Sequence, residues 1–210
     1  MSPYERSYHH GDLRAQLLAR TAVLVARDGA EAFSLRAVAA ELGVSHTAPR
    51  HHFGDRQGVF TALATEGYTL LDEALETAAP LGFQEVGAAY VLFAVSHPGH
   101  FAVMHAPELV HRDDAQLRAA AARTNRQLLD GVAAFAPGTR EQVAVKAAAA
   151  WGLVHGLANL ALSGALAHDR LIGGGLGDLH QLVLRATSLL DLTRDGELDD
   201  PFRSDLVPGT

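Results

Sequence analysis

The 210-residue chain is 48% hydrophobic and 20% charged, carries a formal net charge of −7 and contains no cysteine. The lack of thiols excludes a disulfide framework and a thiolate metal site, and no apolar run reaches the roughly 20 residues that span a bilayer. A polar, His-rich start unlike a signal peptide, with an Ala- and Leu-rich body poor in β-branched runs, predicts an all-α cytoplasmic protein of about nine helices.

The chain opens on an arm in which Tyr8-His9-His10-Gly11 precedes the first helix. Adjacent histidines diverge on a helix and chelate poorly, so the arm is expected to settle on DNA phosphate rather than hold a metal. Residues 12–28 form an amphipathic helix with Leu13, Leu17 and Leu24 on one face, ended by Gly29. Ser34 caps a second, shorter helix through Leu35, Val38 and Leu42. Gly43 reverses the chain at little steric cost, and Ser45 is expected to cap a third helix that ends near Phe53. Small Ala39 lets the last two helices cross closely. This is a three-helix, helix-turn-helix head that carries His46, Thr47, Arg50 and His51 toward a major groove.

Dividing the charge supports that reading. Residues 1–58 hold seven Arg and six acidic residues, a balance of +1, with five His besides. The rest of the chain holds 10 basic and 18 acidic residues, a balance of −8. A near-neutral head still needs a local basic face for phosphate, and Arg36, Arg50 and Arg56 lie close around the motif. The acidic body would turn away from DNA and orient the approach. His46, Thr47 and Arg50 are the candidates for base-edge contact.

Residues 8–60 resemble the N-terminal domain of TetR-type transcriptional regulators. The resemblance rests on Tyr8-His9-His10-Gly11-Asp12-Leu13-Arg14, on Gly43-Val44-Ser45, on the Ser45-to-Pro49 run, and on His52-Phe53 followed by Arg56. It implies phosphate contacts from Ser34, Arg36, His51, His52 and Arg56. In the body, Trp151, His155 and Gly156 are similar to a Trp-His-Gly signature of one branch of the family. The chain departs from the family where Arg50 replaces a usual aromatic, Arg56 a usual Lys, and Gly58 an acidic residue. The base preference of relatives therefore does not transfer.

The domains are expected at 1–54 for the head with its arm, 55–194 for a helical ligand-binding and dimerisation domain, and 195–210 for a flexible acidic tail. Asp55 caps a linking helix whose apolar stripe of Phe60, Leu63, Leu70, Leu71 and Leu75 runs to about Ala79, with Asp72, Glu73 and Glu76 on its wet face. Helices follow near 83–96 and 98–106, the latter opened by Pro98, and from Asp113 or Asp114 to Phe135. The capping box Thr139-Arg-Glu-Gln142 starts a slim helix over about 140–167. Asp178 opens the last helix. The glycines at 173–177 lack the Lys-Ser/Thr ending of a phosphate loop and form a connector.

The two C-terminal helices are apolar on more than one face. They predict a homodimer through a two-fold four-helix bundle, as in the proteins the chain resembles. Two identical heads would read a near-palindromic double-stranded operator with half-sites roughly 34 Å apart. An effector pocket is expected from Phe93, His97, His100, Phe101, Met104, His105, Trp151, His155 and Asn159, an apolar lining with a few polar groups. His97, His100, His105 and His111 lack a carboxylate or thiolate at a metal-ligand spacing, so neither metal nor cofactor is expected. No nucleophile elbow or zinc-helix motif occurs. The reading is a ligand-responsive DNA-binding regulator, a repressor released by a small, largely apolar effector. The alternative is an activator or a ligand-independent regulator, and a helical enzyme comes a distant third.

Overall fold

The computed structural model describes residues 8–168 and 176–193, with side chains over 13–166 and 178–193. Residues 1–7, most of the glycine connector and the acidic tail lie outside the described residues. All the regular structure in those described is helical: α1 (Tyr8–Asp28), α2 (Leu35–Glu41), α3 (Ala48–Phe53), α4 (Arg56–Ala78), α5 (Phe83–Ser96), α6 (Pro98–Met104), α7 (Ala115–Phe135), α8 (Arg140–Leu162), the single turn α9 (Ala165–His168) and α10 (Leu176–Ser188).

Local signals set most of these boundaries. The Ser34 side chain accepts the Ala37 N–H at 3.1 Å, and Asp55 accepts that of Gly58 at 2.7 Å. Asp114 takes two amides at 2.9 Å, and the Thr139–Gln142 capping box is complete. Each cap satisfies amides that the first helical turn leaves unpaired. Gly43, with φ +64°, makes the α2–α3 reversal that a Cβ would strain.

Several boundaries differ from the sequence expectation, and helix α6 ends at Met104 rather than 106. Helix α1 starts at Tyr8, a turn earlier, so Tyr8-His9-His10-Gly11 belong to it rather than to an arm. Helix α3 begins only at Ala48, because Ser45 Oγ takes up the Thr47 N–H at 3.3 Å and the Thr47 hydroxyl at 2.8 Å in a local turn. Helix α8 ends at Leu162, where Gly164 (φ +75°) breaks the path expected to continue to 167. Helix α10 starts at Leu176, two residues before Asp178.

One apolar core joins head and body. It runs from Leu17, Val25 and Val38 through Phe60, Leu63 and Leu71 of α4 to Val91 and Val183. A second, smaller cluster of Val132, Val143, Ala147 and Leu192 ties α7 to α8. Helix α4 packs against α5, α6 and α7, while α8 and α10 lie on α5. Helices α5 and α6 meet at a 106° bend beside Pro98. Helix α8 is long and apolar enough to cross a membrane, but Val143, Ala147, Ala150, Val154 and Ala158 are buried within the fold.

The wet face assigned to α4 needs one correction. Asp72 is buried, accepting the Arg123 guanidinium at 3.2 Å and the Thr124 hydroxyl at 3.1 Å. It fastens α4 to α7. Glu73 and Glu76 are exposed as expected.

Candidate DNA-binding face and ligand cavity

Ser34, Arg36, His46, Thr47, Arg50 and His51 are all exposed, at the start of α2, in the turn and on α3. Pro49 is fully buried, at the second position of α3. There its missing N–H would in any case have no helical partner. His46 and Thr47 thus stand in the turn before the regular helix, not on it. A short helix is held down from beneath by Pro49, with Arg50 and His51 turned outward.

Two of the expected phosphate ligands are engaged inside the head. Arg56 donates to the Ala30 carbonyl and lays its guanidinium over the Phe60 ring, 5.0 Å from its centroid. It is a strut between α4 and the α1–α2 connection. His52 is partly buried between His51 and Phe53, with ring centroids at 5.6 and 6.2 Å. On the other side of Phe53, Arg14 stacks at 5.1 Å.

A cavity of about 570 Å³ opens in the body. Its walls come from Tyr68, Leu71 and Leu75 of α4, Phe83, Val86 and Tyr90 of α5, Leu128 of α7, Trp151 and Val154 of α8, and Leu190 beyond α10. This is the mostly apolar concavity, with few polar groups, that small organic ligands occupy. The polar side chains of the lining include Glu76 of α4 and Thr124, Asn125, Gln127 and Asp130 of α7. Gln127 donates to Glu76 at 3.4 Å.

The wall also carries a hydrogen-bonded aromatic cluster centred on the Tyr90 hydroxyl. Trp151 Nε1–H donates to it at 3.2 Å. Nδ1 of His155 lies 2.9 Å away and Nε2 of His105 3.3 Å away. A phenol has one proton and two lone pairs. It is satisfied when it donates to one imidazole and accepts from the indole and the other imidazole. Burial holds His105 down to about 4, helped by the charge of His155, and lowers His155 as well. Burial also raises Tyr90 to about 12. The cluster is therefore neutral near pH 7.

The expected pocket set is only partly assembled. His105 and Trp151 line the cavity, and His155 and Phe101 stand behind them, with ring centroids 4.6 and 4.7 Å from His105. The other five lie elsewhere. Phe93 is buried and stacks on His97 at 4.8 Å. His97 and His100 face a separate groove between α1 and α6, where His100 pairs with Glu66 at 3.0 Å. Met104 packs on Gly67, and exposed Asn159 bonds back to the His155 carbonyl at 2.8 Å. Tyr68, Phe83 and Tyr90 went unnoticed in the sequence. Their signal was there, as aromatics recurring along two helices that the chain folds against each other. Among the described residues no group of three or more His, Asp and Glu is placed to hold a metal.

A helix-turn-helix head on a helical body is the architecture of DNA-binding transcriptional regulators. Residues 17–63 match the bacterial regulatory proteins of the tetR family, and residues 83–173 match the tetracyclin repressor-like C-terminal domain. The chain belongs to the TetR family of transcriptional regulators, which are DNA-binding proteins and not enzymes. A Rhodococcus protein of unknown function is similar at 32% identity, over 87% of this chain and 95% of that one, with a TM-score of 0.69. The fold is shared with a TetR-family regulator from Bordetella parapertussis (16% identity, 89% and 96% covered, TM-score 0.60). It is shared also with the TetR-family regulator PfmR from Thermus thermophilus (19%, 81% and 97%, 0.57). No curated protein matches the chain.

Proposed function

We propose that the chain is a ligand-responsive repressor that binds a near-palindromic operator as a dimer and releases it when a small, largely apolar effector fills the cavity. The observation that carries this reading is the continuity of α4. Its first turns are packed in the head, where Phe60 meets Phe33 at 4.9 Å between ring centroids. Farther along the same helix, Tyr68, Leu71 and Leu75 form a cavity wall. A ligand that binds one tilt of α4 better than another shifts the head positions by that difference in affinity.

A second connection runs through α6. Gly99, at its start, lies against the backbone of Ala22 in α1, and His105, at its end, lines the cavity. Beyond it, the His111 N–H donates to Thr61 Oγ1 at 2.9 Å, and the His111 ring lies 3.2 Å from Asp55. Both contacts seat the α6–α7 connection on the first turns of α4.

In this reading His46, Thr47 and Arg50 meet base edges, while Ser34, Arg36, His51 and His52 meet phosphates. Arg56 holds the head together before it meets any phosphate. The head spans 1–54 and the effector and dimer domain 55–194. Dimerisation is supported by the outward side of α8, where Val145 and Leu160 are 66% and 46% exposed beside exposed Gly152 and Gly156. Leu189, 85% exposed, extends it past α10. The protein acts in the cytoplasm, on DNA. Deleting the gene tests the sign of regulation: transcription from the bound site rises for a repressor and falls for an activator.

A further inference from the structure

We infer that the cavity selects an organic cation: an amine or quaternary ammonium carried on an apolar, aromatic-sized body. This rests on the pocket reading above and names the class of ligand. The charged side chains among the described residues that line the cavity are two carboxylates, Glu76 and Asp130. The nearby Arg123 is spent on Asp72 and does not line the cavity. His105, the imidazole in the wall, stays neutral near pH 7 because it is buried.

A carboxylate or phosphate ligand would meet no cation in this wall and two like charges beside it. Removing such a charge from water without a partner is strongly unfavourable. A cation meets the opposite arrangement. Tyr68, Tyr90, Phe83 and Trp151 line the site, and an aromatic face attracts a cation through its quadrupole. Glu76 and Asp130 supply the counter-charge, with the Asn125 and Thr124 side chains of the same lining as hydrogen-bonding groups. The body's acidic excess also raises the local concentration of cations over anions.

The chain's single Trp, Trp151, lies in this wall and reports occupancy directly. The experiment titrates full-length protein at pH 7 with 4-butylbenzylamine, 4-butylbenzyl alcohol and 4-butylbenzoate, one skeleton in three charge states, following Trp151 fluorescence. The amine is expected to bind tightest and the benzoate weakest, with a separation of roughly tenfold from exposed ion pairing and ring contact together. In the double variant Glu76→Gln with Asp130→Asn the amine-to-alcohol affinity ratio falls toward one. Raising the salt narrows the wild-type ratio in the same direction.

Equal affinity for all three, or tightest binding of the benzoate, overturns the charge preference and leaves the pocket standing. Failure of all three to change the fluorescence overturns the pocket reading and this inference with it.

Discussion

Tyr90 and His155 are joined by a 2.9 Å hydrogen bond between the phenol oxygen and Nδ1, which ties α5 to α8 at the edge of the cavity. Trp151 Nε1–H ends on the same oxygen. Tyr90→Phe keeps the ring and removes the one atom on which the indole and both imidazoles converge. The variant should lose about 1–3 kcal/mol, the cost of leaving buried polar groups unpaired. Urea unfolding followed by Trp151 fluorescence measures it.

Stability should also fall on acidification through His105. Its folded pKa of about 4 lies below the ordinary imidazole value of 6.5. Below about pH 6.5 the unfolded chain gains a proton that the folded one refuses, so stability declines as pH drops from 6.5 toward 4. Above that window the group contributes no slope. Each pH unit within it costs at most about 1.4 kcal/mol from this residue. The measurement is the unfolding free energy at a series of pH values, where His105→Gln should flatten the decline relative to wild type.

Head and body backbones approach closely at Gly99. A methyl group there would collide with the Ala22 carbonyl of α1, and main chain on both sides leaves little room to adjust. Gly99→Ala should destabilise the protein by about 1–3 kcal/mol, as overpacking does. Hydrogen exchange would show the loss concentrated in α1 and α6, and protection in α8 would be largely kept.

Gly156 separates dimerisation from folding. Nothing lies within 4 Å of a Cβ built at this position, so a larger residue fits the single chain. Gly156→Arg should gain up to about 1 kcal/mol of helix propensity and lose the proposed α8 interface by crowding and charge repulsion. Light scattering should then report a folded monomer where wild type is a dimer. A dimeric variant would move the interface elsewhere.

Features written in a few consecutive residues were legible in the sequence. The caps at Ser34, Asp55, Asp114 and Thr139 and the turn at Gly43 involve partners two or three residues away, and they stand where expected. Asp72 was misread because its partners, Arg123 and Thr124, are about 50 residues distant and sequence spacing carries no trace of them. The cavity was half-legible for the same reason. Trp151 and His105 were recognisable as polar-tipped groups in apolar helices, but the turn between α5 and α6 decides which way a histidine faces. It sends His97 and His100 toward α1 and leaves His105 at the cavity. Ser45 shows a smaller limit: its hydroxyl can cap a helix or close a turn, and the local bond to Thr47 won.

We propose that the exposed residues around α3 read a DNA sequence as a pair of identical heads. A genome-fragment binding selection with footprinting tests it, run on wild type and on Arg50→Ala at two salt concentrations. The expected result is a protected near-palindrome with half-sites about one helical turn apart, weakened in the variant by about 1–3 kcal/mol, the worth of one good base contact. Diffuse, salt-sensitive binding that Arg50→Ala leaves unchanged would contradict it.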